Sequence, residues 1–169
     1  LGAEEVGNGS DFSISFDGTD YTFGNSANNV FTGQITDFNY IFKDKANFNA
    51  DIGYWDLRNA LTTRFMFQRA SSFNQNINSW NVSNVRNMQG MFHFATSFNQ
   101  DLNSWDVSKV DNLRSTFQSA KVFNGNISSW DISNVWNLGY AFASAEAFNS
   151  DISNWDTSKV TYFGRTFLS

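Results

Sequence analysis

Residues 71–95 read SSFNQNINSWNVSNVRNMQGMFHFA, and the next 25 residues, 96–120, read TSFNQDLNSWDVSKVDNLRSTFQSA. Further copies follow at 121–145 and 146–169, and a diverged copy precedes them at 46–70. Self-similarity at a fixed period of this size is typical of repeat proteins, in which each unit packs only on its neighbours. The chain is therefore expected to offer an extended binding surface, and catalysis is not expected of it.

Composition narrows the function further. The 169 residues fit one domain, and the absence of cysteine excludes disulfides, thiolate metal sites and cysteine nucleophiles. A net charge of −5 with singly scattered basic residues argues against binding to nucleic acid. No apolar run approaches the roughly 20 residues of a membrane span, so no membrane insertion is predicted. The only histidine, His93, has no recurrent partner, and we predict neither an enzyme nor a cofactor.

The first 29 residues lie outside the repeat. Phe12, Ile14 and Phe16 alternate with polar residues and are followed by Asp17 and Gly18, a strong turn signal. Because the first unit of a repeat stack needs a cover, residues 1–29 are predicted to be an N-terminal β-hairpin cap. Residues 30–169 are predicted to be a repeat solenoid, divided into a half unit at 30–45 and units at 46–70, 71–95, 96–120, 121–145 and 146–169.

Two apolar patterns alternate within each unit. In Val85-x-x-Met88-x-x-Met91-Phe92 the spacing of three or four predicts one face of a short helix, with Ser83 as its N-cap. The alternation Trp80-x-Val82 predicts a very short strand. The expected fold class is therefore an α/β solenoid like a leucine-rich repeat, with one short parallel strand and one short helix per 25-residue unit. A buried column is predicted for four of the tryptophans, Trp80, Trp105, Trp130 and Trp155.

The motif FN-x-x-(I/L)-x-x-W-(D/N)-x-S recurs in four units, over residues 71–169. With the fainter copies from residue 30 onwards, it resembles the tandem repeat of BspA-like bacterial surface proteins, a divergent leucine-rich-repeat group. The resemblance implies a bacterial cell-surface or secreted location and a role in adhesion or recognition, and it supplies no catalytic residues. The first unit departs from the motif at Arg58, Ala60 and Thr63, which weakens the helix prediction there.

Two polar rows are the candidate ligand-binding residues, because they are expected to point out of the predicted sheet. The first is acidic except for one asparagine and comprises Asp56, Asn81, Asp106, Asp131 and Asp156. The second comprises Tyr54, Ser79, Ser104, Ser129 and Asn154. Stacked carboxylates repel one another, and either a local Asx turn or a bound cation could offset that repulsion. We favour the turn because Asn81 suits it equally well, and one carboxylate per unit is a poor calcium cage, so no metal site is predicted.

A third row is expected to be structural. An asparagine follows the first phenylalanine of every unit and is predicted to hydrogen-bond its neighbours in a ladder: Asn49, Asn74, Asn99, Asn124 and Asn149.

The leading hypothesis is a noncatalytic recognition or adhesion module that binds a protein or glycan on a host or neighbouring cell. The alternatives are a structural spacer that projects another domain and, less favoured, a flat-array binder of ice or mineral. A binder varies its exposed rows and a spacer keeps them uniform; here they vary chiefly at Gly53, Tyr54 and Arg58. End-to-end self-association is also expected, through an apolar edge of the last unit formed by Phe148, Ile152, Trp155, Val160, Phe163 and Phe167.

Overall fold

The computed structural model describes residues 4–6, 13–16, 19–22 and 32–168. From residue 32 onwards, each 25-residue unit forms one layer, and the layers stack so that residues 25 apart lie side by side. Isolated parallel β-bridges mark this register, joining in succession Asp37, Thr62, Asn87, Asn112, Asn137 and Tyr162. The repeat in the sequence is thus a repeat in space, with one bridge residue per layer.

A small antiparallel sheet lies near the N-terminus. Its strands are β1 (Glu4–Val6), β2 (Ser13–Phe16) and β3 (Thr19–Thr22), in the order β1-β2-β3. Strands β2 and β3 pair with Phe16 opposite Thr19, at the site where the sequence predicted a hairpin. Strand β1 was not expected. The capping role of this segment and the division of the chain at residue 29 stay predictions.

The predicted α/β solenoid with a helix and a strand in every unit is wrong. The described residues contain no helix, and their only strands are β1, β2 and β3. Where a helix was predicted, in residues 85–95, the chain makes consecutive β-turns instead. The amides of Met91, His93 and Ala95 donate to carbonyls three residues back, at 3.1, 3.1 and 2.9 Å. In an α-helix they would donate to carbonyls four residues back.

The amides that alternate with these donate to the next layer. Met88, Gly90, Phe92 and Phe94 bond the carbonyls of Asn112, Arg114, Thr116 and Gln118 at 2.8–3.1 Å. Every second N–H therefore closes a turn and the others join two layers. We call this half of each layer the turn ladder; it spans residues 86–95 here and the equivalent residues elsewhere. Most of its backbone amides donate to backbone carbonyls, and that of Gln89 donates to Asn87 Oδ1 at 3.0 Å.

Consecutive turns need residues with positive φ. Two columns, each with one residue per layer, have it, with φ between 54° and 65°. The first contains Tyr40, Phe65, Gly90, Ser115, Tyr140 and Arg165, and the second contains Asp44, Arg69, Phe94, Ser119 and Ser144. A positive φ at the third residue of a four-residue turn is typical of type II turns. Ten of these eleven residues are not glycine, so the cross-layer bonds hold a conformation that side chains normally disfavour.

The predicted strand and N-cap are also misplaced. Residues 80–82 form no strand, and the bridge of that layer lies at Asn87 instead. Ser83 caps no helix. In the first unit, Ala60 and Thr63 are fully buried, so the replacements that weakened its helix prediction are accommodated in the core of the stack.

Aromatic columns form that core. Trp80, Trp105 and Trp130 are at most 3% exposed, and with Trp155 their rings follow one another at 6.3–6.4 Å between centroids. The predicted stacking of the four tryptophans is therefore confirmed, and three of them are buried, whereas Trp155 is half-buried. Two phenylalanine columns run beside this column, and rings of one column stack on rings of the other at about 4 Å, as between Phe92 and Phe98 of the next unit. Large aromatic side chains contribute more buried area than any others.

Side chains also join the layers in the other half of each unit, residues 71–85 here and the equivalent residues elsewhere, which contains the tryptophan column and which we call the tryptophan half. The indole N–H of Trp105 donates to the carbonyl of Ile77, 28 residues back, at 3.0 Å, and Trp80 and Trp130 do the same in their layers. The asparagine ladder is confirmed: the Oδ1 of each of the first four asparagines accepts the amide of the equivalent asparagine one layer on at 2.8–2.9 Å. These asparagines are exposed.

The last described layer has an open apolar surface. Phe148, Ile152, Trp155 and Val160 are half-buried, whereas Phe163 and Phe167 are 47% and 57% exposed. In the inner layers the equivalent residues are almost entirely buried. Self-association through this surface stays a prediction.

Candidate binding face

The two candidate rows lie on one face of the stack, in the tryptophan half of each layer. We call it the Asx face; it consists of residues 51–58 and the equivalent residues of later layers. The buried Trp and the aliphatic residue two positions later, such as Trp105 and Val107, fix the chain on both sides of the exposed Asp106. An alternation of buried and exposed residues thus presents one acidic or amide side chain per layer.

Each member of the first row closes an Asx turn, as we favoured from the sequence. The Oδ1 atoms of Asp56, Asn81, Asp106, Asp131 and Asp156 accept the amide two residues further on at 2.9–3.1 Å. In two layers the serine hydroxyl adds a second bond to the same oxygen, at 2.7 Å for Asn81 and 2.6 Å for Asp106. The turn leads into the turn ladder and not into a helix.

These bonds keep the carboxylates ionised. The hydroxyl and amide of Ser108 hold the pKa of Asp106 below its ordinary value, and Ser133 does the same for Asp131. Neighbouring Asp106 and Asp156 act in the opposite direction on Asp131, but their effect is smaller than that of the hydrogen bonds. The local turn therefore offsets the repulsion within the row, without need of a cation.

A parallel Asx column, which the sequence analysis missed, runs five residues before the first row. Asp51, Asn76, Asn126 and Asp151 each accept the amide two residues on, at 2.9–3.0 Å. The exception is Asp101, whose Oδ1 accepts the amide of Asn126 in the next layer at 2.8 Å. The signal in the sequence was the restriction of this position to Asp and Asn in every unit.

The second candidate row is exposed, but its serines are partly engaged within the stack. Ser79 Oγ donates to the carbonyl of Gly53 at 3.0 Å, and Ser129 Oγ donates to the carbonyl of Asn103. The amide of Ser104 donates to Asn78 Oδ1 at 3.0 Å. Hydroxyls that join layers are less available to an external ordered surface, so no observation favours the ice or mineral hypothesis.

Two shallow grooves bring six of the ten candidate residues together. The larger, of about 720 Å³, includes Ser79, Asn81, Ser104 and Asp106 in its lining. The smaller, of about 580 Å³, is lined by Gly53, Tyr54, Trp55, Asp56, Arg58, Ser79 and Asn81. Ser79 and Asn81 belong to both, so the grooves are continuous. The other four candidates, Ser129, Asp131, Asn154 and Asp156, continue the same columns in later layers and line neither groove.

The smaller groove holds the residues that break the repeat. Arg58 Nε lies 2.7 Å from Asp56 Oδ2, and this contact lowers the pKa of Asp56. Tyr54 is 42% exposed, and partial burial raises the pKa of its phenol. An exposed ring and a guanidinium thus occupy the positions that serines hold in most other layers.

The described residues contain no cluster of three or more His, Asp or Glu side chains suited to a metal ion. His93 lies away from both grooves, half-buried, with its Nδ1 3.1 Å from Gln68 Nε2. Burial, aided by the charge of Arg69, lowers its pKa to about 4. The imidazole is therefore neutral near pH 7, with Nδ1 accepting from Gln68.

A family model described as "Mycoplasma protein of unknown function, DUF285" matches the chain at residues 10–120 and again at 99–169. The chain belongs to this family. DUF285 is thus represented here by a stack of 25-residue layers built from turns and isolated bridges. No curated protein and no solved structure matches the chain. In the part of the chain that the structure describes, no segment forms a helix of the length and hydrophobicity needed to cross a bilayer.

Proposed function

We propose that this DUF285 chain is a noncatalytic recognition module of a bacterial cell surface, which binds a protein or glycan through its Asx face. The observation that carries the proposal is the groove at Tyr54, Asp56 and Arg58, where an otherwise uniform face changes its chemistry. Tyrosine and arginine are enriched where proteins bind partners, because each offers a large contact area and a directional polar group. The resemblance to BspA-like surface repeats supports the surface location.

The chemistry of the face favours binding over catalysis. A general acid needs a pKa near the working pH, whereas hydrogen bonds lower the pKa values of Asp106, Asp131 and Asp156. These carboxylates are engaged in turns, and each has its Oδ1 occupied. What remains for a partner is a fixed pattern of outward donors and acceptors.

A structural spacer is the second candidate, and a specific observation favours it as well. The asparagine ladder and the tryptophan column run through consecutive layers with almost constant geometry. A spacer needs no more than such uniformity, and it does not need Tyr54 or Arg58.

Replacing the two exceptional side chains by the residues found in other layers separates the candidates. The double variant Tyr54→Ser with Arg58→Ser gives the unit 46–70 serines at both positions, as the next unit has at Ser79 and Ser83. The fold is therefore expected to persist. The parent chain is screened on an array of extracellular-matrix proteins and glycans, and the hit is then titrated against the double variant. We expect at least a tenfold loss of affinity, because the anchors of the smaller groove are gone.

The control is Trp136→Ser, which removes an exposed aromatic side chain, 47% accessible, from the turn ladder. It is expected to bind like the parent. A hit whose affinity survives in the double variant, or is lost equally in the control, would refute this face as the binding site; no hit on the array would favour the spacer.

A further inference from the structure

Asparagine and aspartate are equivalent for the fold of the Asx face but not for what the face displays. An Asx turn uses one oxygen, Oδ1, which both side chains possess. In Asp106 the remaining atom is a second carboxylate oxygen, which accepts hydrogen bonds, whereas in Asn81 it is an amide nitrogen, which donates two. The choice between Asp and Asn therefore sets the outward hydrogen-bonding pattern while leaving the turn unchanged.

In the larger groove this choice places donors between acceptors. Both Asx positions of the layer at 71–95 are asparagines, Asn76 and Asn81, each with its Oδ1 occupied by a backbone amide. The same lining includes Asp51 from the layer before and Asp106 from the layer after, both ionisable acceptors. No other described layer has asparagine at both positions. The layer at 71–95 is thus a strip of four N–H donors flanked by carboxylates.

We infer that this groove binds a neutral oligosaccharide, with its hydroxyls donating to Asp51 and Asp106 and accepting from Asn76 and Asn81; the inference rests on the proposed function of the Asx face. Each sugar hydroxyl is both donor and acceptor, as the hydroxyl groups of proteins are. A strip that alternates acceptors and donors matches such a ligand. The groove volume of about 720 Å³ lies within the range of small-molecule sites, roughly 300–1,000 Å³.

Other ligand classes fit less well. An anionic ligand would meet Asp51 and Asp106, while the guanidinium of the adjoining groove, that of Arg58, is already paired with Asp56 at 2.7 Å. An extended peptide usually binds by main-chain hydrogen bonds to a sheet edge, and residues 76–82 form no strand. The apolar side chains of the lining, Trp80 and Val82, are 2% and 1% exposed and offer no open pocket for an apolar anchor.

The test uses four variants of the whole chain and a panel of tetrasaccharides in isothermal titration calorimetry. The probes are neutral cellotetraose, maltotetraose and N-acetylchitotetraose, cationic chitosan tetramer and a sulfated heparin tetrasaccharide. We expect a neutral probe to bind, and Asn76→Asp and Asn81→Asp each to weaken it about tenfold, because each change replaces a donor by a charge and leaves the turn intact.

Two controls lie at the equivalent positions outside both grooves: Asn126→Asp makes the same exchange as Asn76→Asp, and Asp131→Asn makes the reverse exchange at the position equivalent to Asn81. Both are expected to bind the neutral probe like the parent. The sign of the Asn81→Asp effect is diagnostic, since an added carboxylate strengthens binding of a cationic ligand.

Binding of only a charged probe, tighter binding by Asn81→Asp, equal weakening in the two controls, or no binding of any neutral probe would overturn the inference. If no neutral probe binds but the array of the preceding section yields a protein ligand that depends on Tyr54 and Arg58, the proposed function stands and the sugar inference fails. The two failures are therefore distinguishable.

Discussion

The two halves of each layer are joined to their neighbours in different ways. In the tryptophan half the links are mostly side chains, such as the asparagine ladder and the indole N–H of Trp105. In the turn ladder the links are mostly backbone amides and carbonyls, as between Phe92 and Thr116. Where side chains join the layers, the residue at each position is restricted. Where the backbone joins them, the residue can vary. This explains why the motif is strict around Trp105 and loose at positions such as His93, Gln118 and Ala143.

The largest expected effect is in the tryptophan half. Trp105→Ala should lower the free energy of unfolding by about 3–5 kcal/mol, the usual cost of removing a large buried aromatic. It removes a ring stacked between Trp80 and Trp130 and a hydrogen bond to Ile77. Urea denaturation measures the loss. Trp136→Ala, which truncates an exposed ring of the turn ladder, should change stability by less than about 1 kcal/mol. Similar losses in both variants would contradict the contrast between the halves.

The turn ladder tolerates variation except where two layers touch closely. A Cβ at Gly90 would lie 2.3 Å from Phe65 Cδ1, and Gly90 also has a φ of +63°. We expect Gly90→Ala to cost about 1–3 kcal/mol through this overlap. Adding Phe65→Ala should recover part of the loss. Ser115→Ala, in the same column with its Cβ already present, is the control and should be close to neutral. A Gly90→Ala variant as stable as the parent would show that the layers are not packed this closely.

The asparagine ladder is expected to contribute less to the free energy of unfolding than the tryptophan column does. Asn99→Ala removes the acceptor of the Asn124 amide, which lies 2.8 Å away, and should cost about 0.5–1.5 kcal/mol. Gln118→Ala, in the same layer but in the turn ladder, should stay within about 0.5 kcal/mol of the parent. Equal costs at the two positions, measured by the same denaturation, would argue that the side chains of the tryptophan half have no special role in joining layers.

At neutral pH the smallest effect is that of His93 in the turn ladder, because its contribution to stability is lost only as the pH falls. Because the folded-state pKa of His93 is lowered to about 4, the fold favours the neutral ring and binds fewer protons than the unfolded chain. Its contribution is complete above the ordinary pKa of about 6.5 and is lost as the pH falls from there towards 4. Calorimetry should show a melting temperature that falls between pH 7 and pH 4.5, and less so in His93→Gln. The pKa values of Asp106 and Asp131 are also lowered, and these carboxylates change stability at lower pH than His93 does. An unchanged slope in His93→Gln would refute the assignment.

The features that could be predicted from the sequence lie mainly in the tryptophan half, and those that could not lie mainly in the turn ladder. The 25-residue period predicted the register, and the tryptophan column, the asparagine ladder and the Asx turns of the candidate row belong to the tryptophan half, where each contact has a named side chain. The helix was predicted from the spacing of Val85, Met88, Met91 and Phe92, and the structure shows why that was wrong. Consecutive turns also bury residues three or four apart, and the partners that stabilise them are carbonyls 24 residues away, which no local pattern displays. The pattern of outward donors and acceptors at the candidate site could not be predicted either, because Asn81 and Asp106 close the same type of turn.

The central claim is that layers are joined through the backbone of the turn ladder, and the amide of Phe92 tests it most directly. The structure has it donating to the carbonyl of Thr116 in the next layer at 2.8 Å. In a helix it would donate to the carbonyl of Met88, four residues back. NMR scalar couplings across hydrogen bonds identify the acceptor of each amide. We predict a coupling between the Phe92 nitrogen and the Thr116 carbonyl carbon; a coupling to the Met88 carbonyl carbon would contradict the account.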